Sequence, residues 1–114
     1  MDERIEKWLY DIKIALSEID SFIATFPTLD FNLYKNNVFL KRAVERDLEI
    51  IGEAVNRILK ANPNFIELVP EAKNIVGLRN QIIHAYDGIS EENIWAIIIN
   101  HLPLLKKQID QLLQ

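Results

Sequence analysis

At 114 residues the chain has room for one domain, spanning 1–114, and little for a second. Apolar residues at 49% supply one real core, charged residues at 26% give an ordinary soluble surface, and only 3 Gly and 4 Pro favour long regular elements over many turns. The absence of cysteine excludes disulfides, thiol catalysis and Cys-ligated metal centres, and a formal net charge of −4 argues against a broadly basic nucleic-acid-binding face.

A nucleic-acid enzyme with this balance needs a local basic patch, or one assembled by pairing two protomers. The N-terminus reads Met1-Asp2-Glu3-Arg4, with charges through Lys7 and no apolar leader. The longest apolar stretch, residues 94–99, is far too short to span a bilayer. A soluble, cytoplasmic protein without a membrane partner is expected.

The apolar spacing is helical nearly throughout. Ile5, Trp8, Leu9, Ile12, Leu16, Ile19, Ile23 and Phe26 step by three and four, which predicts a long first helix stopped by Pro27. Asp2, Glu3 and Glu6 sit where carboxylates suit the helix dipole. Residues 28–34 read as a connection or a short helical turn. A second long helix is expected from about 34–37 to Lys60, with Val44, Leu48, Ile51, Val55 and Ile58 as its core stripe and Asn62-Pro63-Asn64 as its stop.

A short helical turn over 65–69 precedes Pro70, which fits the first position of a third helix. That helix carries Ile75, Leu78, Ile82 and Ile83 and ends near Tyr86-Asp87-Gly88. Ser90 then caps a fourth helix, with Glu91 and Glu92 in its first turn and Pro103 predicting a kink or a break. No strand pattern or repeat is visible. The expected fold is all-α, a bundle of four main helices plus a short helical turn.

The stretch Arg79-Asn80-Gln81-Ile82-Ile83-His84-Ala85-Tyr86 gathers a fixed cation, an imidazole and a phenol near one helix end. Arg79 and His84 are five apart, about 140° round a helix, so they do not stack on one face. The set suits phosphodiester chemistry. Histidine moves protons at neutral pH, arginine grips phosphate bidentately, and Asn80 can add a hydrogen bond to a phosphate oxygen. RNA brings its own 2′-OH nucleophile, so neither a metal nor an enzyme nucleophile is required. Each residue also has a structural reading: a buried histidine bonded to a carbonyl, a surface cation, a half-buried phenol with a wet hydroxyl.

This stretch resembles the R-x4-H-x-Y signature of HepT-like HEPN proteins. The similarity extends to Arg42-Ala43-Val44-Glu45-Arg46-Asp47-Leu48-Glu49-Ile50-Ile51-Gly52-Glu53-Ala54, which looks like that family's second-helix segment with its Ile-Gly-Glu-Ala run. The order of elements is similar too, over essentially the whole chain. The resemblance implies an HEPN-like homodimer in which the signatures of two protomers meet across a cleft. It implies a metal-independent endoribonuclease with Arg79 and His84 as catalytic pair and no cofactor, the toxin of a type II/VII-like toxin–antitoxin pair. It also implies an MntA-type nucleotidyltransferase antitoxin that transfers AMP to Tyr86. The acidic overall charge departs from what unaided RNA binding would favour.

Several residues keep two readings. Gly52 is read as a close-packing glycine; Glu53 either shares that packing helix without a chemical role or orients Arg79 or His84. Arg42, Arg46 and Glu53 lie near one stripe of the second helix, either as surface ion pairs or lining an RNA path. His101 falls on an apolar stripe and is read as a core or interface histidine, not a ligand. With 2 histidines and no cysteine, a His-rich metal site is not available within one chain. The alternative function is a non-catalytic helical subunit that binds and regulates a nucleotidyltransferase, and a third reading is a nucleotide-binding helical domain.

Overall fold

The computed structural model describes residues 2–78, 82 and 91–114. Helix α1 (Glu3–Ala24) starts where the Asp2 carboxylate accepts from the Arg4 backbone N–H, satisfying one of the orphan donors of the first turn. It ends just ahead of Pro27, with the Thr25 and Phe26 N–H groups tightening onto Phe22 and Ile23. The 28–34 connection holds a short helix, α2 (Phe31–Asn36), capped by Asp30. Asn37 caps α3 (Val38–Ala61) by accepting from the Leu40 N–H, and Asn62 closes it. The boundaries of α1 and α3 are those the sequence predicts.

The next stretch departs from expectation. Beyond α4 (Phe65–Leu68), the predicted continuous third helix is broken. Pro70 precedes a single turn, α5 (Ala72–Ile75), and the chain leaves it through Val76 and Gly77, whose φ of +85° is open to glycine at little cost. One residue in the left-handed region ends a helix whatever the apolar spacing continues to say. Leu78 and Ile82 are helical beyond the break and both are buried. The predicted end at 86–88 and the predicted Ser90 cap lie outside the described residues.

The last arm runs as α6 (Glu91–Ala96), a π-helical turn (Ile97–His101) and α7 (Leu102–Leu112). The break expected at Pro103 is present. Its form is a widened turn in which the Leu102 N–H reaches back five residues to the Ile97 carbonyl, with Pro103 in the first positions of α7, where a missing N–H costs nothing. Among the described residues there is no strand.

The core lies where α1 packs along α3, with α7 against α1. Leu9, Ile12, Leu16 and Ile19 meet Val44, Leu48, Ile51, Val55 and Ile58 there, with Leu105 and Ile109 from α7 in the same buried cluster. At about 1.5–3 kcal/mol for each fully buried aliphatic side chain, this seam dominates the favourable side of folding. Ion pairs Lys106–Asp20 at 2.7 Å and Lys13–Asp110 at 3.7 Å bridge α7 and α1 at the rim; exposed as they are, they contribute little. One polar group breaks the apolar seam. Asp47 on α3, 4% exposed, faces Glu18 on α1. Burial, and then the hydrogen bond and charge of Glu18, push its carboxyl up to about 7.

Candidate active site

Of the eight residues of the Arg79–Tyr86 stretch, only Ile82 is among the described residues, and it is anchored in the core. Arg79, Asn80, His84 and Tyr86 lie outside them, as do Asp87 and Gly88. What the fold does define is the frame on both sides.

The entering side is fixed by α5, Gly77 and Leu78. Glu71, 7% exposed, stands just before α5. Its backbone N–H donates to Gln108 Oε1 at 3.1 Å, and its Oε1 accepts from Asn74 Nδ2 at 3.0 Å. The same oxygen accepts a hydrogen bond from His101 Nδ1.

The leaving side is fixed by α6. Glu91, its first residue, pairs with Lys41 Nζ at 3.0 Å, and Lys41 is only 16% exposed. The hydrogen bond from Lys41 and then its charge hold the Glu91 carboxyl below its usual range. Trp95, one turn on, lies against Tyr34 and Phe31 of α2, with ring centroids 5.5 and 6.2 Å away. Tyr34 is fully buried, and its hydroxyl has no hydrogen-bond partner among the described residues. Burial, and then the charges of Glu45 and Glu91, push that phenol far above its ordinary range, with Arg42 opposing. The end of α3 that carries Arg42 and the start of α6 therefore share one electrostatic neighbourhood.

The α3 residues singled out from sequence fall into two places. Arg42 belongs to the neighbourhood of Tyr34 and Glu91, and its Nη1 donates to both oxygens of Glu45 at 3.0 and 3.2 Å. Arg46 and Glu53 line a groove of about 370 Å³ between α1 and α3, together with Trp8, Asp11, Glu49 and Arg57. Arg46 pairs with Glu49 at 3.7 Å and Arg57 with Glu53 at 3.1 Å. The groove sets two guanidinium groups against three carboxylates. The arginines of α3 form one-turn ion pairs, which are weak where exposed, and the groove is balanced in charge rather than basic. Any relation of Glu53 to Arg79 or His84 lies outside the described residues. Gly52 is buried in α3, as a packing glycine should be.

His101 is the histidine the fold does place. It is half-buried and bonded to Glu71, in keeping with a structural reading. Sequence reasoning did not single out Glu71, Asp47, Tyr34 or Lys41. Their partners are tertiary, thirty residues away for the Glu71–His101 pair, and no local pattern announces them. Among the described residues no group of three or more His, Cys, Asp or Glu side chains is placed to hold a metal ion, and no helix is long and apolar enough to cross a membrane.

An all-helical frame around an Arg-x4-His-x-Tyr stretch defines the class to which the comparisons with known proteins also lead. The model of the HepT-like ribonuclease family matches residues 12–112. A Methanocaldococcus jannaschii protein named "Putative RNase MJ1380" is 37% identical over 108 residues, covering 93% of this chain and 94% of its own. The "Putative RNase TTE0752" of Caldanaerobacter subterraneus is 36% identical over 99 residues, covering 87% and 88%. A Thermococcus cleftensis protein named "Probable ribonuclease HepT" is 35% identical over 108 residues, covering 92% of each chain. No solved structure gives a significant match. The chain belongs to the HepT-like ribonuclease family.

Proposed function

We propose that this ribonuclease is the toxin of a type II/VII-like toxin–antitoxin pair and that it cleaves RNA without a metal ion, through its Arg79–His84 pair. The observation that carries the reading is the Arg79-x4-His84-x-Tyr86 spacing inside the span matched by the family. The substrate's 2′-oxygen attacks the adjacent phosphorus as the bond from phosphorus to the 5′-oxygen breaks. His84 accepts the 2′-OH proton or delivers one to the departing 5′-oxygen. Arg79 neutralises the charge that accumulates on the non-bridging oxygens, and Asn80 adds a hydrogen bond to one of them. The products are a 2′,3′-cyclic phosphate, or the 3′-phosphate that follows from it, and a 5′-OH.

A homodimer supports this chemistry. In one protomer Arg42, Arg46 and Arg57 are each opposed by a carboxylate, so a phosphate backbone gains little from them. Two signatures facing each other would bring two arginines and two histidines to one cleft. Tyr86 is the regulatory acceptor: an MntA-type nucleotidyltransferase transfers AMP from ATP to its phenol oxygen and releases pyrophosphate. The added phosphate sits beside Arg79 and blocks the cleft.

Substrate chemistry tests the mechanism. An RNA oligonucleotide should be cut, and the same oligonucleotide with a 2′-deoxy sugar at the cleaved position should not. Equal cutting of both would refute attack by the 2′-OH.

The alternative, a non-catalytic subunit that binds and regulates a nucleotidyltransferase, draws on the same charge-balanced α3 face. It predicts that His84→Ala leaves both partner binding and growth arrest unchanged.

A further inference from the structure

The polar node formed by Glu71, Asn74, His101 and Gln108 has no part in the chemistry proposed above. It joins the two arms of chain that bracket the Arg79–Tyr86 stretch. Glu71 and Asn74 belong to the arm that enters it, eight and five positions before Arg79, and His101 and Gln108 to the arm that leaves it. Its central carboxylate is buried and collects donors from both sides, Asn74 Nδ2 and His101 Nδ1, while the Glu71 backbone N–H is held by Gln108.

For stability alone this is a poor use of a buried position. Removing a carboxylate from water is costly, and well-packed apolar side chains of similar volume do as well. What a directional pair of this kind supplies is a fixed offset between two elements. The π-helical turn points the same way. It adds one residue to the helical repeat, with the Leu102 N–H bonded to the Ile97 carbonyl, and it ends on His101. An ordinary α-turn would rotate His101 by about 100° and carry its ring away from Glu71. On the far side of the stretch Lys41 holds Glu91. The arms on both sides of the stretch are thus tied down, and the Glu71–His101 tie is the buried one.

We infer that Glu71 and His101 are positioning residues of the ribonuclease site, a clamp that sets the register between the arm leading into the Arg79–Tyr86 stretch and the arm leading out. The inference rests on the assignment of catalysis to Arg79 and His84. Losing the clamp acts on geometry: a shift of about 1 Å in a catalytic group costs up to about a hundredfold in rate, whereas contacts that hold the substrate more loosely change little.

The test compares wild type with His101→Ala, His101→Asn and Glu71→Gln. Two readouts are taken: steady-state cleavage of a fluorescent RNA oligonucleotide, and amide hydrogen exchange by mass spectrometry. His101→Ala should lower kcat by about tenfold or more with KM within about twofold. Exchange should quicken in peptides covering 76–90, with the peptides of α1 and α3 unchanged. His101→Asn, whose side-chain amide nitrogen can take the place of Nδ1 as donor, should restore most of both. Glu71→Gln, which keeps an acceptor oxygen for His101 and Asn74, should stay folded and fall between the two. An unchanged kcat in His101→Ala would overturn the inference. So would exchange that rises equally over the whole chain, or a failure of His101→Asn to recover anything. Should the wild type cut no RNA, the ribonuclease mechanism fails; the exchange readout then still decides whether the clamp exists.

Discussion

Replacing Asp47 by asparagine should raise the stability of the fold above pH 7 and leave it nearly unchanged near pH 4. Asp47 is buried on α3 against Glu18 of α1, and its carboxyl stands at about 7 in the fold against an ordinary 3.8. Between those two values the folded chain binds a proton that the unfolded chain has released. Unfolding then liberates that proton, so the contribution of this group falls as pH rises from about 4 to about 7 and is flat above. At about 1.4 kcal/mol per pH unit, the span sets a ceiling of about 4 kcal/mol on the cost of ionising the pair in place. Water reaching the Glu18 side and small shifts of α1 bring the expected cost down to about 1–3 kcal/mol. The substitution removes the charge and keeps an amide that donates to Glu18. Thermal unfolding at pH 4, 5.5, 7 and 8 reads the effect, at about 4–6 °C per kcal/mol for a chain of this size. The variant should match wild type near pH 4, draw ahead through pH 5.5, and melt about 5–15 °C higher at pH 8. A difference between the two proteins that stays constant over that range would refute the assignment of the proton to Asp47 and Glu18.

Two further substitutions probe the frame of the site. Gly77→Ala places a β-carbon at a φ of +85°, where it would meet nothing within 4 Å among the described residues. Its cost is therefore backbone strain alone, about 1–2 kcal/mol in urea unfolding, and a neutral result would mean that the turn between α5 and Leu78 does not need its left-handed residue. Tyr34→Phe deletes a buried hydroxyl with no partner among the described residues. It should be neutral or stabilising by up to about 1 kcal/mol, and a loss of more than that would reveal a partner for the phenol.

The sequence carries most of this fold in its apolar spacing. The stripe Val44–Leu48–Ile51–Val55–Ile58 is buried as spaced, and Asn37 and Asn62-Pro63 mark the ends of α3 because capping is a local interaction. Gly77 was harder to read. A single glycine inside a helical pattern is usually tolerated, and only its φ reveals the break. Pro103 announced an interruption but not its π-helical form, which differs from an α-turn by one residue and leaves the stripe through Leu102, Leu105 and Ile109 intact. Asp47, Glu71 and Lys41 were illegible for another reason. A polar residue declares its burial only through a partner on another element, and pairing across 29 to 50 positions leaves no periodic trace. The catalytic candidates were legible as a motif, and their arrangement relative to one another lies outside the described residues.

The central claim is that Arg79 and His84 of this HepT-like ribonuclease cleave RNA without a metal. Its most direct test is RNA cleavage in excess EDTA by wild type, Arg79→Ala and His84→Ala, with the intact mass of each protein recorded so that AMP on Tyr86 is seen if present. Unmodified wild type should cut in EDTA, and both variants should lose at least about a thousandfold in rate. Cutting that EDTA abolishes, or that survives in both variants, would contradict the claim.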